Sequence, residues 1–153
     1  MKFKLLVFVY TFILSSQLYS QNTIKPLVES KKGMVVSTHP LASQIGLAIL
    51  QKGGNAIDAA IAVNFALAVC HPSAGNIGGG GFLVYRNAKG KVFALDYREK
   101  APLASTKDMY LDASGNVIPD KSFVGVFSVG VPGTVAGMEE MHRKFGLLPW
   151  KEL

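Results

Sequence analysis

The sequence has a single cysteine, Cys70, among its 153 residues. One cysteine cannot form an intrachain disulfide, so the fold has to be held together by packing and hydrogen bonds. Cys70 ends an apolar stretch, where a free cysteine usually acts as a small buried hydrophobe. The alternative role, a catalytic thiol, requires an activating base or a helix N-terminus beside the sulfur. The structural role is the prediction.

Charge is also scarce, because only 17% of the residues are charged and the formal net charge is +6. The basic residues are scattered and form no stripe that alternates with aromatic residues. Nucleic-acid binding needs a clustered basic surface, so the sequence predicts no nucleic-acid partner. Apolar residues make up 49% of the chain. That fraction and the length indicate one ordinary domain with a real core.

Several chemical motifs are missing from the chain. The histidines lack metal-ligand spacing, no serine lies in a Gly-x-Ser-x-Gly elbow, and no Gly-Lys-Ser/Thr follows the glycine-rich run. Two aspartates, Asp108 and Asp112, have no evident partner for paired-carboxylate catalysis. The sequence therefore predicts no metal site, no organic cofactor and no complete catalytic set within these residues.

The first twenty residues have the pattern of a secretory signal peptide. Lys2 and Lys4 precede an apolar run at residues 5–14, and small polar residues at 15–20 allow cleavage after Ser20. A run of about ten residues is too short for a membrane span of about twenty, so no stable membrane anchor is predicted. We expect a periplasmic or secreted location, with residues 21–32 as a flexible leader. The alternative is an ordinary N-terminal helix.

The remaining sequence alternates between helical and strand patterns. Residues 33–37 predict a strand, and Thr38 or His39 can cap a helix that carries Pro40 in its first turn and ends at Gly53-Gly54. Asn55 can cap a second helix at residues 56–70, which is apolar on all sides and is therefore expected to be buried. Two strands at residues 82–86 and 91–96 predict a hairpin.

The C-terminal part predicts shorter elements. We expect a short helix at residues 106–110, a turn at 112–115, a strand at 124–129, a helix at 135–145 closed by Gly146, and a further helix from Pro149. This order of elements favours a layered α+β fold.

A glycine-rich turn at residues 75–81 precedes the hairpin. Dinucleotide fingerprints follow a strand and open a helix, so this turn does not fit them. Two interpretations stay open. Glycine can let the backbone cross a neighbour too closely for a Cβ atom, or it can let the backbone approach a ligand. The residues favour the first interpretation.

The pair Arg98-Glu99 follows the second predicted strand. A guanidinium group at such a position offers a planar fork that matches a carboxylate. The alternative is a surface salt bridge of little energetic value, and the residues alone slightly favour it.

Four motifs together resemble the γ-glutamyltranspeptidases. They are Gly53-Gly54-Asn55-Ala56-Ile57-Asp58-Ala59-Ala60, His71-Pro72-Ser73-Ala74-Gly75-Asn76-Ile77-Gly78-Gly79-Gly80-Gly81-Phe82, Asp96-Tyr97-Arg98-Glu99-Lys100-Ala101-Pro102 and Val131-Pro132-Gly133-Thr134-Val135-Ala136-Gly137. The resemblance covers residues 33–153, which it implies are the N-terminal part of a large subunit. It implies an N-terminal-nucleophile hydrolase fold, a four-layer αββα sandwich that is incomplete in these residues.

The resemblance also implies an activity. Such precursors cleave themselves into a large and a small subunit, and the new N-terminal threonine of the small subunit attacks the γ-glutamyl amide of glutathione. The acyl group then passes to water, amino acids or peptides. By this match Arg98 holds the α-carboxylate of the donor, and Glu99 is a secondary candidate for orienting Arg98. The nucleophilic threonine lies beyond Leu153, so no catalytic residue is expected among these 153. The alternative is an inactive remnant or a fragment that binds γ-glutamyl ligands.

Overall fold

The computed structural model describes residues 27–153. The predicted signal peptide, residues 1–20, and residues 21–26 of the predicted leader therefore lie outside the described residues. Residues 27–32 are exposed and belong to no helix or strand, and residues Gly33–Leu153 form one unit. No helix in the described part of the chain is long and apolar enough to cross a membrane.

The first helix, α1, spans Pro40–Gln51. The side chain of His39 accepts a hydrogen bond from the backbone N–H of Leu41, and Pro40 occupies the first turn, where its missing N–H costs nothing. Gly53, with a φ of 96°, takes the left-handed conformation just after the helix. The capping prediction for this helix is confirmed.

The second helix, α2, spans Ala56–Cys70. Asn55 accepts from the N–H groups of Ile57 and Asp58, while the Asp58 carboxylate accepts from the N–H of Asn55, which completes a capping box. The prediction of a wholly buried helix is wrong for its C-terminal half. Ile57 and Ile61 are buried, but Val69 is 82% exposed because no described element covers that side of the last turn.

The two strands, β1 at Phe82–Arg86 and β2 at Val92–Asp96, pair antiparallel as predicted. Phe82 lies opposite Asp96 at one end, and Arg86 lies opposite Val92 at the turn. Side chains alternate between half-buried and exposed along both strands, which is the pattern of a sheet covered on one face.

The third helix, α3, spans Thr134–Phe145 and ends before Gly146, as predicted to within one residue. It packs on α2 through a core of Ile57, Ile61, Met138 and Met141. A second core joins α1 to α2. The inner face of the hairpin covers the first core with Leu83, Tyr85, Leu95 and Tyr97. The described residues thus form a helical layer on one face of a two-stranded sheet, an α+β arrangement.

The strand predicted at residues 33–37 is absent from the structure. A strand needs a partner for its N–H and C=O groups, and no described strand pairs with this segment. Val35 packs against α1 at Gly46 instead, since a Cβ atom on that glycine would lie 2.8 Å from Val35 Cγ1. Of the apolar residues that suggested a strand, Val35 is half-buried beside α1, whereas Met34 and Val36 are exposed.

Three further predictions from the C-terminal part need correction. Residues 106–110 form successive turns, because their hydrogen bonds run from Met109 to Thr106 and from Leu111 to Asp108 without propagating into a helix. Residues 124–129 are not a strand but contain a 3-10 turn at Val126–Ser128, preceded by Gly125 with a φ of 89°. The helix expected from Pro149 is a single 3-10 turn at Trp150–Glu152. The turn at residues 112–115 is confirmed.

Candidate functional site

Arg98 lies two residues beyond the end of β2. The carboxylate of Asp96 accepts a hydrogen bond from the backbone N–H of Arg98 at 2.9 Å, and the N–H of Tyr97 donates to the carbonyl of Gly81 at 3.0 Å. These two bonds fix the direction in which the chain leaves the sheet. The position of Arg98 is therefore set by its backbone and not by its exposed side chain.

The guanidinium group of Arg98 contacts two neighbours. Its Nε donates to Glu99 Oε2 at 3.1 Å, and its Cζ lies 5.7 Å from the centroid of the Phe82 ring. The ring supports the guanidinium plane through a cation–π contact. The Arg98 side chain is nevertheless 61% exposed. The Glu99 bond uses the Nε donor, and the two Nη groups carry the four other N–H donors of the fork.

Glu99 carries a stable negative charge beside this fork. Its own backbone N–H and the Arg98 guanidinium hold the pKa of the Glu99 carboxyl below its ordinary value. The lowered pKa keeps the carboxylate ionised at neutral pH, and the Nε bond joins it to the guanidinium group. Arg98 and Glu99 do form the salt bridge that the sequence analysis considered. This salt bridge leaves the Nη groups of Arg98 able to bind a ligand as well.

A cleft of about 580 Å³ opens beside the pair. Its walls come from the residues after β2, from the segment before α3, and from one face of α3. The lining includes Arg98, Glu99, Lys100, Val131, Pro132, Gly133, Ala136, Gly137 and Glu140. Hydrogen bonds from Lys144 and Arg143 keep the pKa of Glu140 below its ordinary value, so its charge is already paired.

The backbone of Tyr97 and Arg98 rests on glycines. A Cβ atom on Gly80 would lie 2.7 Å from the Arg98 Cα, and one on Gly133 would overlap the Tyr97 carbonyl. A Cβ on Gly137 would overlap the Tyr97 ring. None of the glycines at 75–81 has a positive φ. Their role is close approach of backbone segments, so the packing interpretation of the glycine-rich turn is supported.

Two residues that the sequence analysis did not single out hold these glycines together. Asn76 Oδ1 accepts from the N–H of Gly79 at 2.8 Å and from the hydroxyl of Thr134 at 2.9 Å. The carbonyl of Gly79 in turn accepts from the N–H groups of Gly133, at 2.7 Å, and Thr134. The sequence offered one signal for this contact, the amide side chain of Asn76 inside a run of glycines. Its partner Thr134 lies 58 residues away along the chain.

An exposed guanidinium group at the edge of a cleft can bind and orient an anion. The three histidines line no part of this cleft: His39 caps α1, His142 contacts the Leu148 carbonyl, and His71 ends α2. Within residues 27–153 no group of three or more histidine, cysteine or acidic side chains could hold a metal ion. The region therefore presents one exposed guanidinium group at the edge of a cleft.

Sequence comparison gives matches over most of the chain. The family model described as gamma-glutamyltranspeptidase matches residues 42–153. The glutathione hydrolase proenzyme of Pseudomonas sp. (strain A14) is 56% identical over 119 residues, which are 78% of this chain and 21% of that protein. The chain thus spans about a fifth of the length of this curated relative.

Solved structures agree with the sequence matches. The γ-glutamyltranspeptidase of Helicobacter pylori superposes with a TM-score of 0.77 at 57% identity, covering 83% of this chain and 36% of that one. The enzyme from Pseudomonas nitroreducens gives a TM-score of 0.73 at 50% identity, covering 81% of this chain and 37% of that one. The predicted fold class, an incomplete αββα sandwich of the N-terminal-nucleophile hydrolase type, is confirmed.

Proposed function

The chain belongs to the γ-glutamyltranspeptidase family, and from that premise we propose that its protein is a γ-glutamyltransferase and glutathione hydrolase. It cleaves the γ-glutamyl amide of glutathione and related compounds and transfers the γ-glutamyl group to water, amino acids or peptides. The nucleophile is a threonine beyond Leu153. Attack by its hydroxyl releases the amine and leaves a γ-glutamyl ester, which water or an amine then cleaves.

Within this activity Arg98 binds the α-carboxylate of the γ-glutamyl donor. The observation that carries the proposal is an exposed guanidinium on a rigid backbone at the edge of a cleft. A bidentate fork on a carboxylate fixes the orientation as well as the position of the donor. It also distinguishes γ-glutamyl groups, which carry a free carboxylate, from simple acyl groups.

Glu99 orients this fork. Its carboxylate accepts the Nε bond of Arg98 and leaves the Nη edge directed away from that bond. An ionised neighbour also offsets part of the positive charge, so the fork binds a carboxylate by geometry more than by net charge.

The outer face of the hairpin supports a second subunit as partner. Phe82 and Val84 on β1 and Val92 on β2 are 64%, 77% and 58% exposed. In a four-layer sandwich this face lies against the second sheet. The relatives are named proenzymes, and we propose that a small subunit from the same precursor covers it.

We also propose that residues 1–20 are a signal peptide and residues 21–32 a leader. The location of the protein is then periplasmic or secreted.

The test is Arg98→Lys in the full-length gene product. Lysine keeps the charge but loses the fork, and charge-assisted hydrogen bonds are worth about 1.5–3 kcal/mol, so KM for glutathione should rise at least about tenfold. Arg86→Lys is the matched control, because Arg86 lies at the opposite end of the same strand pair. Glutamate release from glutathione is the measurement.

Equal KM values in wild-type and Arg98→Lys proteins would disprove the assigned role of Arg98. Absence of any γ-glutamyl cleavage by the wild-type gene product would disprove the enzymatic proposal. Calorimetry with glutathione would then separate an inactive remnant, which gives no heat, from a γ-glutamyl-binding protein.

A further inference from the structure

We propose that Asn76 and Thr134 are positioning residues for Arg98, acting together as a clamp beneath the backbone that presents the guanidinium fork. The clamp consists of the Asn76 side chain, the Thr134 hydroxyl and the backbone of Gly79. Neither Asn76 nor Thr134 is among the residues that line the cleft, so the role that we propose for them is indirect. The proposal rests on the proposed function, since it assumes that Arg98 holds the donor carboxylate.

The clamp closes through one oxygen atom. Asn76 Oδ1 accepts from the Gly79 N–H at 2.8 Å and from Thr134 Oγ1 at 2.9 Å. A carbonyl oxygen has two lone pairs, and both are used in this arrangement. Asn76 Nδ2 donates to the Ala74 carbonyl at 3.3 Å, which fixes the orientation of the amide. The glycine-rich turn is therefore tied to the N-terminus of α3.

A second pair of bonds closes the clamp from the other side. The Gly79 carbonyl accepts from the N–H of Gly133 at 2.7 Å and from the N–H of Thr134 at 3.0 Å. The first backbone donors of α3 have no partner within the helix, and this carbonyl satisfies one of them, the N–H of Thr134. Gly133 provides no side-chain cap of its own. The glycine-rich turn therefore caps the N-terminus of α3 with a backbone carbonyl in place of a side chain.

Two glycines, Gly80 and Gly133, place the clamp in direct contact with the backbone of Tyr97 and Arg98. Gly80 follows Gly79 directly, and a Cβ there would lie 2.7 Å from the Arg98 Cα and 2.8 Å from the Glu99 nitrogen. Gly133 lies against the Tyr97 carbonyl from the α3 side. The Tyr97-Arg98 peptide is thus held between two backbone segments that the clamp joins, and any displacement of one segment moves Arg98.

The two side chains of the clamp, Asn76 and Thr134, differ in how deeply they are buried. Thr134 is only 2% exposed, so its hydroxyl depends on Asn76 for a partner, whereas Asn76 itself is exposed. An exposed asparagine contributes little apolar packing. Its replacement should therefore disturb the geometry of the turn more than it disturbs the core, which is what allows positioning to be measured apart from stability.

The experiment uses two matched pairs in the full-length gene product. Asn76→Ala and Thr134→Val remove the clamp, while Asn76→Asp and Thr134→Ser keep an acceptor and a hydroxyl. L-glutamate, the hydrolysis product, serves as a competitive inhibitor whose Ki reports how tightly Arg98 binds an α-carboxylate. Misplacement by about 1 Å can cost up to about a hundredfold, so we expect its Ki and the donor KM to rise about tenfold in the disrupting variants. We expect kcat to change less than about threefold.

Hydrogen exchange gives a readout that does not depend on turnover. The Tyr97 N–H bonds to Gly81, and the Lys100 N–H bonds to Val131, so both report on the corner that presents Arg98. In Asn76→Ala these two amides should exchange faster while those of α2 keep their wild-type rates. A merely structural role would accelerate exchange in both regions together.

Asn87→Ala is the matched control. Like Asn76, Asn87 accepts two hydrogen bonds through its side-chain oxygen, but they come from the backbone N–H groups of Lys89 and Lys91 at the far end of the hairpin. It should leave Ki and KM unchanged. Wild-type Ki and unaltered exchange at Tyr97 and Lys100 in Asn76→Ala, with a raised Ki in Arg98→Lys, would overturn the clamp alone. An unchanged Ki in Arg98→Lys would instead overturn the proposed function.

Discussion

Two polar regions of the molecule differ in burial. In the first, the joint between α2 and α3, the polar side chains are buried or half-buried and bond to the backbone. In the second, the Arg98 corner at residues 97–100, the charged side chains are exposed and the backbone packs on glycines. The joint comprises the side chains of Asn55 and Asp58 and the backbone of residues 145–148. Asp58 is 0% exposed and accepts N–H bonds from Asn55, Leu147 and Leu148. Asn55 Nδ2 donates to the Phe145 carbonyl at 2.6 Å.

The difference shows how polar residues are divided between folding and recognition. A buried carboxylate is stable only when its acceptors are filled, so Asp58 is fully occupied by the chain itself. Arg98 is exposed and paired through Nε, and its backbone is immobilised by glycines and hydrogen bonds. The polar groups of the joint are therefore paired within the fold, whereas Arg98 keeps the exposed Nη donors that the proposed function requires.

The largest effect is expected from Asp58→Ala, which breaks the joint. It leaves the N–H groups of Asn55, Leu147 and Leu148 without their acceptor, and each buried unsatisfied group costs about 1–3 kcal/mol. We expect a loss of about 3 kcal/mol in the free energy of unfolding, measured by urea denaturation of the purified protein.

Asp112→Ala provides the comparison for that variant. Asp112 also accepts backbone N–H bonds, from Ser114 and Asn116, but it lies in an exposed turn where water replaces the lost acceptor. A clearly smaller loss is expected. If both variants lose the same stability, burial does not explain the importance of the joint.

Gly137→Ala should produce an intermediate effect at the other region. The new Cβ would overlap the Tyr97 ring near its Cβ and Cγ, and overpacking costs about 1–3 kcal/mol, against about 1 kcal/mol gained in helix propensity. We expect a net loss of about 1 kcal/mol by urea denaturation together with a raised donor KM, because Tyr97 carries Arg98.

Gly78→Ala is the control within the glycine-rich turn. No atom lies within 4 Å of a Cβ built there, so stability and KM should match the wild-type values. Equal effects of the two alanine substitutions would show that close approach to Tyr97 is not what requires glycine.

The smallest effect concerns the titration of Glu99. Its pKa is depressed in the folded protein, so the stabilisation it provides is present above its ordinary value of 4.5 and is lost as the pH falls through the lower folded value. A carbon-13 NMR titration should place the midpoint below 4.5. Arg98→Ala should raise the midpoint only part of the way, because the backbone N–H of Glu99 is the larger cause. A complete return to the ordinary value would contradict that order of causes.

The helices and the hairpin could be predicted because their signals are local. His39 before Pro40, Asn55 three residues before Asp58, and two short apolar runs on either side of a polar turn all act within a few residues of the chain. The strands predicted at 33–37 and 124–129 failed for the opposite reason. An apolar run becomes a strand only if another strand pairs with it, and no local pattern supplies that partner.

The candidate site divides in the same way. Arg98 and Glu99 could be named because their motif resembles that of the family, whereas the residues alone slightly favoured a surface salt bridge. The clamp could not, because Asn76 and Thr134 meet across 58 residues. The sequence also could not show that Asp58, evident as a capping residue, bonds to Leu147 and Leu148.

The sequence by itself determined the capped helices, the pairing of the two hairpin strands and the identity of the exposed charges, because each depends on neighbours within one or two turns of the chain. Only the tertiary structure decided which backbone segments pass within contact distance of Tyr97 and Arg98. That choice follows from the packing of α3 on α2 and from glycines that are small enough to permit it.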